Sequence, residues 1–149
     1  MPFQFRLESV LAIRTALEEQ ALRELAGLNA EFERTRLQIR GLDATKSAFL
    51  HQLAEQRQLG EANIERILAD TLYLERLNAE LQGTKQVLRS KREAVRSKRS
   101  EVVKKTRERQ VLEKLKEKHR ARYEKEIDRK EATEADELFL SRYSGGNAN

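Results

Sequence analysis

Apolar residues recur at alternating intervals of three and four through the first third of the chain. The spacing is typical of the seam of an α-helical coiled coil, with Lys46 as a charged interruption. Before this run the apolar face is broader and shifted in phase. The pattern predicts one helix over about residues 3–57. The seam positions are Leu25, Leu28, Phe32, Thr35, Ile39, Leu42, Lys46, Phe49 and Leu53.

The pattern stops at Gln58-Leu59-Gly60, where Gly60 is suited to end a helix. A second helix is expected over about residues 62–82, the most apolar part of the chain. Gly83-Thr84 can end that helix and cap the next one. The last helix is then expected over about residues 85–140, and residues 145–149 are expected to form a flexible tail.

The first and last helices have nearly equal predicted lengths, roughly 80 Å each at 1.5 Å per residue. Neither can bury its apolar stripe alone. The sequence therefore predicts an all-α fold: an elongated antiparallel two-helix coiled coil over residues 1–144, with a short helical turning end. An alternative stays open, in which a simple turn at Gln58–Ala62 leads into one continuous helix containing Gly83 and the C-terminal end overhangs.

The last helix carries many charges where a seam needs apolar residues. Leu88, Val95 and Val102 share one seam position, but the matching positions are Lys91, Lys98 and Lys105. Long lysine stems can cover apolar surface while their charged heads stay in water, which reduces the conflict. We still expect the hairpin to be marginal by itself and to need a partner.

Composition excludes several classes of protein. Charged residues make up 37% of the chain against a usual value of about 25%. Cysteine is absent, which excludes disulfides, thiolate metal sites and a cysteine nucleophile. There is no apolar run of about 18 residues to span a membrane and no signal pattern at the N-terminus. A cytoplasmic location is expected.

Residues 85–109 hold eleven basic and three acidic side chains. Such an excess is compatible with neutralising phosphates, and so with nucleic-acid binding. However, the segment has no aromatic residue to stack on bases and belongs to no recognisable nucleic-acid-binding module. A solvated basic face, or one opposite an acidic protein surface, is favoured.

No residues suggest an enzyme. His51 and His119 are far apart and have no further ligands at metal-binding spacing. There is no glycine-rich phosphate loop and no nucleophile constellation. We therefore expect no catalytic residues, no metal and no cofactor. The apolar residues between Ile64 and Leu81 are the better candidate site, because they cover more than one helix face and can dock another protein as well as pack in the turning end.

Both ends of the chain resemble the flagellar type III export protein family FliJ. The opening residues are Phe3-x-Phe5-x-Leu7-Glu8-x-Val10-Leu11-x-x-Arg14. The far end has Leu112-Glu113-Lys114-Leu115-Lys116-Glu117-Lys118, then Tyr123, Glu126, Arg129, Glu131, Asp136-Glu137 and Arg142. The segment Lys130-Glu131-Ala132 departs from the family pattern, in which Glu-Gln follows the arginine.

The resemblance implies a function and partners. It implies an antiparallel coiled coil similar to the central stalk of rotary ATPases, peripheral to the inner membrane at the flagellar base. Its paired terminal helices enter the hexameric export ATPase FliI and promote its assembly and activity. It also implies contacts with the export gate protein FlhA and with export chaperones.

The resemblance also implies which residues bind. The ATPase-binding set is Phe3, Phe5, Leu7, Val10, Leu11, Arg14, Tyr123 and Arg129, and the gate-binding set is Tyr73, Leu74 and Leu77. Glu80 and Thr84 depart from the types expected next along the gate strip. Phe3 and Phe5 are expected to be exposed anchors for a concave partner.

Two other functions remain open. A stalk protein of a virulence injectisome shares the architecture and differs in its partner system. A basic nucleic-acid-binding coiled coil predicts binding that depends on residues 85–109 and falls steeply with salt.

Overall fold

A computed structural model describes residues 2–60 and 63–146 of the chain. These residues form two helices, α1 (Glu8–Gln58) and α2 (Ile64–Gly146), and contain no strand. Where the helices face one another they pack along an apolar seam. The predicted all-α fold of two packed coiled-coil helices is therefore confirmed.

The first helix begins later than the pattern predicts. Residues 2–7 are not helical, and the backbone N–H of Glu8 donates to the carbonyl of Phe5 at 3.1 Å. Apolar spacing could not reveal this, because Phe3, Phe5 and Leu7 also face the second helix from irregular backbone. The other end of α1 at Gln58 lies within one residue of the prediction.

Gly60 has a φ of +73°, which an L side chain rarely adopts, and this conformation ends the helical path of α1. At the start of α2 the side-chain oxygen of Asn63 accepts a hydrogen bond from the N–H of Glu65 at 3.2 Å. Asn63 therefore caps the helix. The predicted helix start at Ala62 lies outside the described residues.

The predicted helix break at Gly83-Thr84 is wrong. α2 is a single helix of 83 residues that runs through both positions. The Thr84 hydroxyl does not cap a new helix but donates to the carbonyl of Glu80 within the same helix, at 2.8 Å. The buried seam continues from Leu77 and Leu81 to Thr84 at helical spacing, so packing holds the helix across the glycine. The alternative with Gly83 inside one helix is the correct one.

The helix also extends past its predicted end near residue 140. Gly145 and Gly146 belong to α2 and not to a flexible tail, while residues 147–149 of the predicted tail lie outside the described part. Every residue from Asp128 to Gly146 is exposed.

The chain divides into two compact units, unit 1 (Met1–Glu19 with Lys104–Asn149) and unit 2 (Gln20–Val103). That residues 1–144 form a single hairpin domain therefore stays a prediction. In unit 2, α1 and α2 run antiparallel. Contacts join Glu24 to Lys98, Glu31 to Lys91 and Phe49 to Tyr73, with numbers rising on one helix as they fall on the other.

Unit 1 is also an antiparallel pair. Lys116 bonds Glu8 and Glu108 bonds Arg14 across the two helices. The buried apolar residues here are Phe5 and Leu11, on the N-terminal segment and the first turns of α1. This places the opening residues of the chain directly against α2.

The charged seam positions of α2 are accommodated without being fully buried. Lys91, Lys98 and Lys105 are half-buried, and the first two bond glutamates of α1. Their aliphatic stems cover the seam while the ammonium groups stay at its edge. Ion pairs with α1 therefore reduce the destabilisation that we expected from charged residues in the seam. The sequence pattern did not predict these pairs.

Candidate functional site

The N-terminal segment of unit 1 packs its two aromatic rings on α2. The Phe3 and Tyr123 rings lie 5.5 Å apart between centroids, and Phe5 meets His119 at 5.7 Å in an edge-on arrangement. Such tilted and edge-on geometries are the favourable ones for aromatic pairs. Two of the residues expected to bind the ATPase, Phe3 and Tyr123, are thus brought together.

The expectation that both phenylalanines are exposed is wrong. Phe5 is only 7% exposed, and Phe3 is half-buried. The rings attach the non-helical segment to α2 and so close the terminal pair. Sequence alone could not show this, because two phenylalanines beside a weak seam are equally compatible with an anchor for a partner and a contact within the chain.

The remaining residues of the predicted ATPase-binding set divide by exposure. Leu11 is buried and Leu7 half-buried, so both stabilise the pair. Arg14 bonds Glu108 at 2.6 Å. Val10 and Arg129 are exposed, and Arg129 lies beyond the last residues of α2 that have buried surface. The set is therefore partly structural and partly accessible.

Ion pairs also join the two helices of unit 1. Lys116 bonds Glu8 at 2.8 Å, and Arg109 bonds both Glu18 of α1 and Glu113 of its own helix. The hydrogen bonds that Arg109 donates, first to Glu18 and then to Glu113, hold its pKa above the ordinary value. Charge pairing therefore fixes how the two helices of unit 1 meet.

Beyond these contacts, α2 carries an exposed group of large apolar side chains, here called the C-terminal apolar group. Phe139 is 69% exposed. Sequence analysis missed these residues as a site. The sequence did contain an indication, because large apolar residues directly follow Asp136-Glu137. They lie past the part of α2 that packs against α1. The group is Leu138, Phe139, Leu140 and Tyr143.

The predicted gate-binding residues lie in unit 2, close to where α2 begins. Leu77 is only 6% exposed and packs in the seam, so it offers little surface to a partner. Tyr73 is 40% exposed, and its ring meets Phe49 with centroids 4.6 Å apart. Leu74 is half-buried and lines a small cavity with Leu53. Of the three residues, Tyr73 is the most accessible.

Accessible apolar surface is more abundant in the first three turns of α2 and the connection before it. These side chains form what we call the turn-end apolar group. Leu68 is 61% exposed and Leu72 is 56% exposed. Exposed apolar surface is therefore present between Ile64 and Leu81, and most of it lies before the predicted gate residues. The group is Leu59, Ile64, Ile67, Leu68 and Leu72.

Comparison with protein-family models shows to which family the chain belongs. The model described as "Flagellar FliJ protein" matches residues 3–148. The chain belongs to the flagellar FliJ family. Neither the search of curated proteins nor the search of solved structures found a match.

Membership of the FliJ family makes this a protein associated with the flagellar export machinery, which favours the flagellar system over a virulence injectisome. Within residues 2–60 and 63–146, no helix has the length and apolar content needed to cross a membrane.

The two histidines of this FliJ-family chain have separate surroundings. His51 is exposed beside Glu55, with 3.2 Å between nitrogen and oxygen, and His119 contacts Phe5. Across the described part of the chain, no group of three side chains is placed to hold a metal ion.

The basic segment of the FliJ-family chain is partly neutralised by α1. Lys98 bonds Glu24 at 2.5 Å and Lys91 bonds Glu31 at 2.8 Å. Hydrogen bonds from these lysines hold the pKa values of Glu24 and Glu31 below the usual range. The hydrogen bonds that Lys98 donates, first to Glu101 and then to Glu24, raise its pKa. These lysines therefore serve helix pairing.

Proposed function

We propose that this chain acts as a central stalk of the flagellar export apparatus. The terminal pair in unit 1 inserts into the hexameric ATPase FliI and promotes its assembly and activity. A separate surface in unit 2 engages the export gate protein FlhA, and the chain also binds export chaperones. It works at the flagellar base, peripheral to the inner membrane through these partners.

The observation that carries the ATPase part of the proposal is the C-terminal apolar group. Exposed aromatic and aliphatic side chains on a helix end that extends past its paired region are suited to fill pockets of a concave partner. They lie further along α2 in unit 1, beginning roughly 22 Å after Tyr123 at 1.5 Å per residue. The family resemblance of both chain ends supports the same location.

The residues of the ATPase-binding set then have two roles in this proposal. Phe5 and Leu11 act indirectly, since their burial closes the terminal pair that is to be inserted. Val10 and Arg129 are exposed and supply direct contacts. Phe3, Leu7, Arg14 and Tyr123 are partly accessible and contribute at the edge.

The gate contact is proposed to combine Tyr73 with the turn-end apolar group. Tyr73 keeps substantial accessible surface next to Leu72, whereas Leu77 is buried in the seam. Leu74 and Leu77 therefore support the surface from beneath. Glu80 and Thr84, which depart from the family pattern, are not needed for this contact.

The test of the ATPase role is hydrolysis of ATP by purified cognate FliI at dilute enzyme, with and without this protein. Stimulation is expected from the wild-type chain. The double variant Phe139→Ala with Tyr143→Ala is expected to lose most of it, because the exposed rings supply contact and not stability. Circular dichroism should give the variant the melting curve of the wild type.

Leu68→Ala with Leu72→Ala is the matched control, since it also removes two exposed apolar side chains from α2. It should stimulate FliI normally but weaken binding to the FlhA linker, which the Phe139/Tyr143 variant should bind normally. An equal loss of FliI stimulation in both variants would mean that any exposed apolar side chain contributes, and not the C-terminal apolar group in particular. No stimulation and no co-sedimentation of the wild-type chain with FliI would exclude the stalk function.

A further inference from the structure

Over residues 85–99 of the basic segment, the lysines are half-buried and the arginines are exposed. Lys91 and Lys98 turn toward α1 and bond its glutamates. Four arginines of the same stretch are exposed instead, and they are called here the arginine stripe. Within residues 2–60 and 63–146, only Arg96 of these four has an ion-pair partner, Glu93 at 3.8 Å. The stripe is Arg89, Arg92, Arg96 and Arg99.

The stripe follows one side of α2. Its members are spaced by three, four and three residues, which aligns them along a single flank of a helix. From Arg89 to Arg99 they cover about 15 Å at 1.5 Å per residue. This length corresponds to about three turns of a helix laid alongside.

The stripe borders a groove between the two helices of unit 2. Phe32 and Val95 contribute apolar surface to the groove, and Arg92, Arg96 and Arg99 line its α2 side. The guanidinium of Arg92 lies over the Phe32 ring, 5.9 Å from its centroid. This cation–π contact holds one arginine in place before any ligand arrives.

The opposite flank of α2 has a different chemistry over the same turns. At helical spacing it carries small, apolar or acidic side chains, and the basic residue beside them, Lys98, is half-buried and bonds Glu24 and Glu101. Over these turns the exposed positive charge is therefore concentrated on the side of the stripe. The residues of that flank are Val87, Ser90, Ala94, Ser97 and Glu101.

We propose that the arginine stripe and its groove bind an acidic helical segment of a partner protein, with glutamates or aspartates facing the stripe and an apolar side chain entering between Phe32 and Val95. The planar guanidinium matches a carboxylate with two parallel hydrogen bonds and is weakly hydrated, which suits it to protein interfaces. This surface is separate from the residues assigned to the ATPase and gate, and the proposal does not depend on those roles.

A protein segment fits better than a nucleic acid. The groove has an apolar part, which a phosphate backbone does not use. Glu33 and Glu93 also line the groove and interrupt the positive potential that a continuous run of phosphates would follow, whereas the separate carboxylates of a helix can lie opposite the arginines alone. An amphipathic acidic helix uses both the charge and the apolar surface.

The test uses the full chain and fluorescence anisotropy of a labelled three-turn helical peptide with glutamates along one face and leucines beside them. Binding is expected at low salt and should weaken as salt rises. The triple variant Arg92→Gln, Arg96→Gln, Arg99→Gln should bind about tenfold or more weakly, as expected for the loss of three ion pairs. Circular dichroism should confirm that it keeps its helix content.

The matched control removes three exposed arginines from α1 of the same unit: Arg23→Gln, Arg34→Gln and Arg40→Gln. It should bind the peptide within about twofold of the wild type, because none of these residues lines the groove. Equal loss in both triple variants would overturn the proposal in favour of net charge alone.

Two further probes decide the ligand class. A matched peptide with glutamine for glutamate should bind at least about tenfold more weakly, and equal binding would overturn the role of charge. An oligonucleotide of similar length should bind more weakly than the acidic peptide. If the oligonucleotide binds more tightly and its binding depends on the arginine stripe, the acidic-protein assignment is wrong. FliI stimulation by the triple variants distinguishes these outcomes from failure of the stalk function.

Discussion

Phe5 meets His119 edge to face, with ring centroids 5.7 Å apart, although the phenylalanine lies outside any helix. This contact, with Phe3 on Tyr123 beside it, attaches the first residues of the chain to α2. Burial of a ring at such a position stabilises the terminal pair. Phe3 and Phe5 therefore stabilise the fold in the first place and offer only limited surface to a partner.

Phe5→Ala is therefore expected to lower the free energy of unfolding by about 3 kcal/mol, the lower end of the range for truncating a buried phenylalanine to alanine. Thermal unfolding followed by circular dichroism measures this change. Phe139→Ala is the matched control, since that ring is 69% exposed and its removal should change stability by less than about 0.5 kcal/mol. Equal destabilisation by the two substitutions would contradict the closing role of Phe5.

Gly83→Ala is expected to stabilise the protein by about 1 kcal/mol. Gly83 lies inside α2, and a Cβ placed there meets no atom within 4 Å. The gain comes from the helix preference of alanine over glycine. Urea unfolding of the variant would measure it.

Gly60→Ala provides the contrasting case for that prediction. A Cβ there also has free space, but the φ of +73° is strained for alanine, so stability should fall by about 1 kcal/mol. If Gly83→Ala were destabilising and Gly60→Ala neutral, the helix would break at Gly83 and not at Gly60.

Thr35→Val is expected to raise the free energy of unfolding by about 0.5–1 kcal/mol. Thr35 is buried in the unit 2 seam, and its hydroxyl bonds the carbonyl of Glu31 in its own helix at 3.0 Å. That carbonyl already accepts within the helix, so removing the hydroxyl leaves no buried polar group unpaired. Thr45→Val is the control, because Thr45 makes the same kind of bond on an exposed face. A stability gain as large for Thr45→Val would assign the effect to helix propensity alone.

Acid should weaken the pairing of the two helices in unit 2. The pKa values of Glu24 and Glu31 lie below the unfolded value of 4.5, so their pairing contributes fully at neutral pH. The contribution begins to fall as the pH drops toward 4.5 and is lost as the pH passes through the folded pKa values. The raised pKa of Lys98 acts at the other extreme, where its contribution is lost as the pH rises above 10.5.

The melting temperature measured against pH tests this expectation. Between these limits it should stay nearly constant, and added salt should lower it, because the pairs lie near the surface. Glu24→Gln with Glu31→Gln should lower the melting temperature at neutral pH and flatten the decline in acid. Glu19→Gln with Glu75→Gln, at exposed positions, should leave the profile of the wild type unchanged, and an equal flattening there would contradict the assignment.

The heptad-like spacing of Leu25 to Leu53 determined the first helix, its buried face and the need for a helical partner, because side chains repeating at this period share one face. It also located the end of α1 near Gly60. The lysines at seam positions were visible in the sequence too, as was the resemblance of both chain ends to the family.

Tertiary structure alone decided that the second helix continues through Gly83 and which aromatic residues are accessible. Gly83 and Thr84 are compatible with a break locally, but the buried Leu77 and Leu81 before them and Val95 after them keep the helix continuous. Phe5 and Phe139 are the same type of residue, yet Phe5 is buried against α2 and Phe139 lies past the part of α2 that packs against α1. The local sequence pattern determines which face of a helix is apolar. Whether that face is buried depends on where the partner helix begins and ends, which only the packing of the two helices decides.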